Sequence, residues 1–443
     1  MRVDVARVVD GASFGAVHLW VIVIGFLCMT TDGFDLQSMS FTAPAVAVEW
    51  TIRRELLGPV LAASIVGMAV GSVLLGWIGD RIGRKRSFGL CFALMCLGSI
   101  GSYLSRDLLQ LTISRLITGL ALGGATPLAT ALISEWTPKS WRALAIAIVI
   151  VAVPAGGMIG AAVSERIIPT YGWRAVFLVG ALVPLLCLVV TWLEVPESPH
   201  FLARSPTRRV QLAVLLNQIV RDRPFTGEEE FVATAPRTTQ RNELFALLQF
   251  PYLSTTVILW ITFSLNTLAL YGFVNWLPTI MASTGISLVT ALGSAAWFNI
   301  GGVLGAICGS VLISWLGSRL VGSMTALMAM IAVFVVGMIV ASIHSEGSPW
   351  LLPAVLICGM CLNGTQVFLY AVAANAYPTP IRATGVGCAA AVSRVGGVGS
   401  SVVGSAMFLL GLSVTTYFDV LAAVAGGVML GFVFLRGQIS RTA

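Results

Sequence analysis

The chain has 443 residues, of which 57% are hydrophobic and only 10% charged, where a soluble globular chain averages about 25% charged. That deficit excludes disordered, collagen-like, nucleic-acid-binding and ordinary cytosolic enzyme classes. The net charge of +7 does not restore a nucleic-acid partner, because the basic residues sit in short runs between apolar blocks and not on one face. A chain that crosses a membrane many times remains.

Arg2 and Arg7 precede an apolar run that begins like a signal peptide. The run holds two aspartates and continues past residue 40 with no small-residue cleavage site, so it reads as a retained first helix, 17–46. A spanning helix needs about 20 apolar residues. Five more such segments follow at 57–79, 88–105, 108–134, 143–163 and 174–193. A polar stretch from Glu194 to Glu243 contains Pro196-Glu-Ser-Pro199, an arginine-rich part and Glu228-Glu229-Glu230, which suits a cytosolic linker. Six further segments complete the chain at 253–280, 289–314, 321–343, 350–373, 384–411 and 414–435. The expected fold is therefore all-α with 12 transmembrane helices: a bundle over 1–193, a linker over 194–245 and a second bundle over 246–443.

The charge distribution orients these spans. With both termini cytosolic, Arg53, Arg54, Arg106, Arg166 and Arg174 fall outside, Arg115 and Arg394 fall inside helices, and the other 19 of 26 Lys/Arg face the cytosol. Eight cysteines all lie in apolar stretches, which supports neither a disulfide framework nor a zinc site. Cys358-Gly359-Met360-Cys361 has a redox spacing, but it sits in an unbroken apolar run and reads as packing. His18, His200 and His344 are too scattered to bind a metal, and no cofactor is implied. Gly385-Val-Gly387 and Gly156-Gly157-x-x-Gly160 are not nucleotide loops, since neither follows a strand; Gly156 and Gly160 suit close helix packing.

The halves are related. Gly71, Gly83 and Lys85 match Gly305, Gly317 and Arg319 at one constant offset. Six plus six helices with related halves is a transporter arrangement, in which the substrate site lies near the bilayer midplane.

Gly76-x-x-Gly79-Asp80-Arg81-x-Gly83-Arg84-Lys85 joins the second and third spans. The fourth carries Arg115-Leu-Ile-Thr-Gly119-x-x-x-Gly123-Gly124, then Glu135-Trp-Thr-Pro138-Lys-Ser-Trp-Arg142, and the sixth ends in Pro196-Glu-Ser-Pro199-His-Phe-Leu202. Over nearly its whole length the chain thus resembles the major facilitator superfamily. Asp32-Gly33-Phe34-Asp35, Tyr377-Pro378-Thr-Pro-Ile-Arg382-Ala-Thr384-Gly385 and Ser393-Arg394-Val-Gly396-Gly397 resemble its aromatic acid:proton symporter family. The resemblance implies proton-coupled import of a benzoate-like or hydroxyphenyl carboxylate across a bacterial inner membrane, in support of aromatic catabolism. The partners implied are the substrate, protons and the lipid bilayer, with no nucleic acid, and a monomer suffices. It also implies a cytosolic gate built from Gly76, Gly79, Asp80, Arg81, Gly83, Arg84, Lys85 and Arg86, with Arg382 a further gating residue. The charges of that gate serve topology as well, and its glycines are expected to allow close backbone approach. Ser314 and Trp315 stand where the second loop motif has an acidic–basic pair, so an ion pair there must be weaker or absent.

A charge at mid-membrane costs about 2.5–3.5 kcal/mol on insertion scales, so each needs a partner or a task. Asp32 and Asp35 are three residues apart, on one helical face near mid-span. Burial and mutual repulsion favour a proton on one of them, which suits proton coupling; the plainer role is to cap or bond neighbouring helices. Arg115, about 10 Å deep in the fourth span, either stabilises these aspartates or clamps helix carbonyls. Arg394, about 15 Å into the eleventh, either pairs bidentately with a substrate carboxylate or forms a permanent ion pair. Glu135 reads as a gating or loop-anchoring carboxylate. Candidates for the substrate pocket are Asn266, Tyr271 and Asn275 of the seventh span, Trp297, Phe298 and Asn299 of the eighth, and Asn363, Gln366 and Tyr370 of the tenth.

Competing readings are drug efflux, uptake of a sugar or aliphatic acid, and a non-transporting sensor. Val153-Pro154-Ala155-Gly156-Gly157 departs from the antiporter pattern, and a sensor need not keep both aspartates and the gate glycines. No nucleophile–base set suggests an enzyme.

Overall fold

The computed structural model describes residues 2–219, 224–232, 245–342, 348–435 and 438–439, without the side chains of Asp80, Ala143, Pro206, Ser310, Ser314, Thr379, Pro380 and Ala383. Among the described residues, twelve helices are long and apolar enough to cross a membrane. In chain order they are α1 (Ala16–Glu49), α2 (Leu57–Ile82), α3 (Arg84–Leu104), α4 (Leu108–Trp136), α5 (Lys139–Tyr171), α6 (Arg174–Glu194), α7 (Leu253–Ser283), α8 (Leu288–Leu316), α9 (Ser318–Ser342), α10 (Leu351–Ala376), α11 (Thr379–Leu409) and α12 (Val414–Phe434). Several outrun the apolar segments that predict them: α1 continues to Glu49 and α5 starts at Lys139. A helix satisfies its own backbone and need not end where its sequence turns polar.

Two compact units divide the chain. The first comprises residues 1–36, 67–156 and 177–237, and the second 37–66, 157–176 and 238–443. Each has its own hydrophobic core.

Within the first unit, α2 and α4 meet backbone to backbone. A methyl group at Gly67 or Gly71 would strike the carbonyl of Leu116 or Leu120, and one at Gly123 that of Met68. Small residues permit this approach where apolar helices gain nothing from the hydrophobic effect against lipid. Gly33 and Gly156 likewise seat α1 against α5, at the carbonyls of Val153 and Thr30.

The second unit repeats the device at equivalent positions. Gly301 and Gly305 of α8 abut the carbonyls of Leu356 and Met360 on α10, and Gly359 abuts that of Phe298. Gly396 of α11 meets Ser264 of α7. The breaks after α2 and α8 also correspond. Gly83 has φ 100° and Gly317 φ 81°, a region glycine enters without the penalty a Cβ brings.

The polar stretch after α6 holds short ordered elements. Helices Pro199–Ala203 and Arg209–Ile219 pack in the first core, and strand β2 (Glu230–Val232) pairs in parallel with an N-terminal strand, β1 (Arg2–Asp4). Residues 233–244 of that stretch lie outside the described residues. Cys358 and Cys361 are free thiols, buried within α10.

Candidate functional site

Four helices of the first unit converge on one buried charge pair. Asp32 and Asp35, 3% and 4% exposed, lie midway along α1. Arg115 of α4 is completely buried, and its Nη2 donates to Asp35 Oδ2 at 2.5 Å. Ser99 of α3 donates to Asp35 Oδ1 at 3.2 Å, and the ring of Phe177 on α6 lies 5.1 Å from the guanidinium carbon. Asp32 has a different neighbour: its Oδ2 accepts from Thr126 of α4 at 3.5 Å. These hydrogen bonds thus tie Asp35 to α3 and α4 and Asp32 to α4. Protonating Asp35 would cancel its attraction for Arg115 and leave that charge buried without its counterion, so a proton here changes the balance of the whole cluster.

Several sequence-predicted pocket residues meet in the second unit. Arg394, in the middle of α11, reaches Tyr271 Oη of α7 at 3.4 Å. Asn266 of α7 donates to Gln366 Oε1 of α10 at 2.7 Å, and to the Leu362 carbonyl at 3.4 Å. Asn363 bonds back to the Gly359 carbonyl of its own helix at 3.1 Å. Phe298 is buried in a stack on Phe273, whereas Trp297 is 41% exposed and Tyr370, half-exposed, meets Phe263 edge-on. Asn299 is committed to Gln37 of α1: the two amides exchange hydrogen bonds at 3.0 and 2.9 Å. One turn further along α1, Ser40 donates to the carbonyls of Val274 and Asn275 at 2.7 and 3.0 Å. The side-chain oxygen of Asn275 is buried with no hydrogen-bond partner.

The loop-motif residues form a network in the first unit. Arg84 reaches Glu135 Oε1 at 3.4 Å, and Ser198 of the Pro-Glu-Ser-Pro turn donates to the other oxygen. Glu197 Oε1 accepts the backbone N–H of Lys85 and of Ser198, at 3.1 and 3.0 Å, and so caps α3. Gly83 packs on Glu197 and Phe201, and Gly79 on Leu128. The close approach expected at Gly76 is not made, since nothing lies within 4 Å of where its Cβ would be. Gly76 is five residues beyond Gly71, about 140° round the helix from the face that meets α4. Arg81 stacks 3.7 Å above the ring of Trp77. The side chain of Asp80 lies outside the described residues. In the second unit Arg382 donates to the Tyr377 carbonyl at 3.3 Å, and Tyr377 donates to Thr256 at 3.0 Å. Burial holds the Tyr377 phenol above its ordinary pKa. Arg319, the counterpart of Lys85, donates to the Leu435 carbonyl at 3.1 Å, while Trp315 is exposed.

Sequence reasoning passed over Ser99, Thr126, Gln37, Ser40 and Asp10, the last of which pairs with Arg142 at 2.5 Å. Gln37 carried a usable signal, because an amide in an apolar run needs a partner as much as the asparagines did.

The model of the Major Facilitator Superfamily matches residues 25–401. A gallate transporter of Pseudomonas putida is 33% identical, covering 96% of this chain and 93% of its own. A 4-hydroxybenzoate transporter of Pseudomonas aeruginosa is 32% identical, covering 99% and 97%. Among solved structures, a D-xylose-proton symporter superposes with a TM-score of 0.73 over 96% of this chain and 99% of its own; at 18% identity that likeness concerns the fold.

Proposed function

Because the chain belongs to the Major Facilitator Superfamily, a family of multi-pass membrane transporters, we propose that it imports a small aromatic carboxylate together with protons, by alternating access. The substrate class is that of its relatives: gallate, 4-hydroxybenzoate or a hydroxyphenyl-propionate. The observation that carries proton coupling is the fully buried Asp35–Arg115 pair, with Asp32 three residues away on the same helix. An ionisable group inside a membrane protein is costly and is retained for a task. In this reading Asp32 and Asp35 take the proton and Arg115 holds the site when the proton leaves. Arg394 meets the carboxylate, with Tyr271, Asn266 and Gln366 beside it as hydrogen-bonding groups. Asn275, Asn299, Asn363 and Trp297 remain candidates for the wall. The network around Gly83, Arg84 and Glu135, together with Asp80, Arg81 and Arg382, gates the cytosolic side.

The positive-inside bias supports cytosolic termini, and bacterial relatives support an inner-membrane location. The working division is a bundle over 1–193, a linker over 194–245 and a bundle over 246–443, functioning as a monomer. Uptake of labelled gallate, 4-hydroxybenzoate, 3-(3-hydroxyphenyl)propionate, benzoate and xylose into cells, with and without a protonophore, tests the substrate class. Accumulation of one or more aromatic acids, abolished by the protonophore, is expected. Xylose uptake without aromatic uptake would overturn the proposal.

A further inference from the structure

Three basic side chains share one cleft in the first unit, at the level where α2 ends, α3 begins and α6 ends. Lys85 and Arg86 enter it from the first turn of α3, and Arg208 from the turn before helix Arg209–Ile219. Trp192 of α6 and Phe201 wall it, and its volume is about 420 Å³. Among the described residues none of the three cations makes an ion pair. Arg208 instead lies 4.8 Å from the centroid of the Phe201 ring. Glu197 also lines the cleft, but its Oε1 is occupied by the N–H groups of Lys85 and Ser198. Among the described lining residues, three cations and one carboxylate give a formal charge of +2.

Its place decides what could fill it. Three spanning helices terminate here, so the cleft lies at the boundary of the apolar slab. Trp192, 61% exposed on the last turn of α6, is the amphipathic ring that settles at headgroup level. Two guanidiniums and an ammonium match the oxygens of a phosphate, which a guanidinium grips in a fork.

We propose that this cleft binds the headgroup phosphate of an anionic phospholipid, held by Lys85, Arg86 and Arg208 with an acyl chain along Trp192. The net charge of +2 selects an anionic headgroup over a zwitterionic one, whose ammonium the remaining cations would repel. The bound lipid ties the start of α3 to the segment after α6, beside the Arg84–Glu135–Ser198 network, and so braces that network at the membrane surface.

The full chain, purified in detergent, is titrated with phosphatidylglycerol and with phosphatidylethanolamine, and retained lipid is counted by native mass spectrometry. The wild type should retain one phosphatidylglycerol in preference to phosphatidylethanolamine. Each charge removed should weaken retention about fivefold, and the triple variant Lys85→Gln/Arg86→Gln/Arg208→Gln on the order of a hundredfold. Arg86→Gln alone, at an exposed position, decides the matter if the triple variant melts at a lower temperature without lipid. Inorganic phosphate at millimolar concentration is the second arm, and should not displace the lipid. Equal retention by wild type and Arg86→Gln, equal retention of the two lipids, or displacement by inorganic phosphate would each overturn the proposal, the last by making this a site for a free anion.

Discussion

Asp35→Asn separates the energetic role of the buried pair from its role in coupling. Arg115 is fully buried and Asp35 only 4% exposed, with 2.5 Å between Nη2 and Oδ2. Removing one partner of such a pair leaves an uncompensated buried charge, at a cost of about 3–5 kcal/mol. The asparagine keeps a carbonyl oxygen for the Ser99 hydroxyl, so that hydrogen bond survives the substitution. Adding Arg115→Gln removes the stranded charge, and the double variant should recover most of the thermal stability in detergent. Concentrative uptake should not return: accumulation should fall to equilibration in the single and the double variant alike. Asp32→Asn gives the contrast, because it keeps an oxygen to accept the 3.5 Å hydrogen bond from Thr126. It should cost less than about 1.5 kcal/mol and still abolish accumulation. Thermal midpoints and labelled uptake in the same preparations provide both readouts. Normal accumulation by Asp35→Asn would refute the coupling role, and a double variant no more stable than the single would refute the energetic argument.

Arg394→Ala should weaken binding of an aromatic acid by about 10- to 100-fold, the worth of a charge-assisted hydrogen bond, while a neutral amide of the same ring binds almost as before; Arg394→Lys should keep some transport. Equal loss of acid and amide in equilibrium binding would make Arg394 structural. Gly83→Val places a β-branched residue at φ 100° against Glu197 and Phe201, so turnover should fall at normal surface expression, whereas Gly76→Ala, with open space around it, should leave thermal stability equal or higher. Asn299→Leu strands the Gln37 amide and should cost about 1–3 kcal/mol in thermal unfolding; Gln37→Leu/Asn299→Leu should recover most of it.

The twelve spans were legible because run length alone separates a spanning helix from a loop. The repeat was legible as well: Gly71 and Gly305 share an offset, and each proves to face the backbone of a neighbouring helix. Within the charged cluster, residue type showed that Asp32, Asp35 and Arg115 needed partners. Which aspartate Arg115 would take was not readable, since that depends on how α1 is rotated against α4, and Gly33 and Gly156 fix α1 through its contact with α5. Gln37 and Asn299 lie 262 residues apart, and no local pattern announces such a pair. The β1–β2 pairing was equally hidden, because strands of three residues are too short to show periodicity.

Proton movement that accompanies substrate is the defining event of proton-coupled import. The purified chain is reconstituted into vesicles with a pH-sensitive dye inside, the membrane potential is clamped at zero, and 4-hydroxybenzoate or gallate is added outside with no pH gradient. Acidification of the lumen is expected to follow substrate entry, to be absent with xylose, and to be lost in Asp35→Asn. Entry of labelled aromatic acid at the wild-type rate with no change in lumenal pH would contradict proton-coupled import.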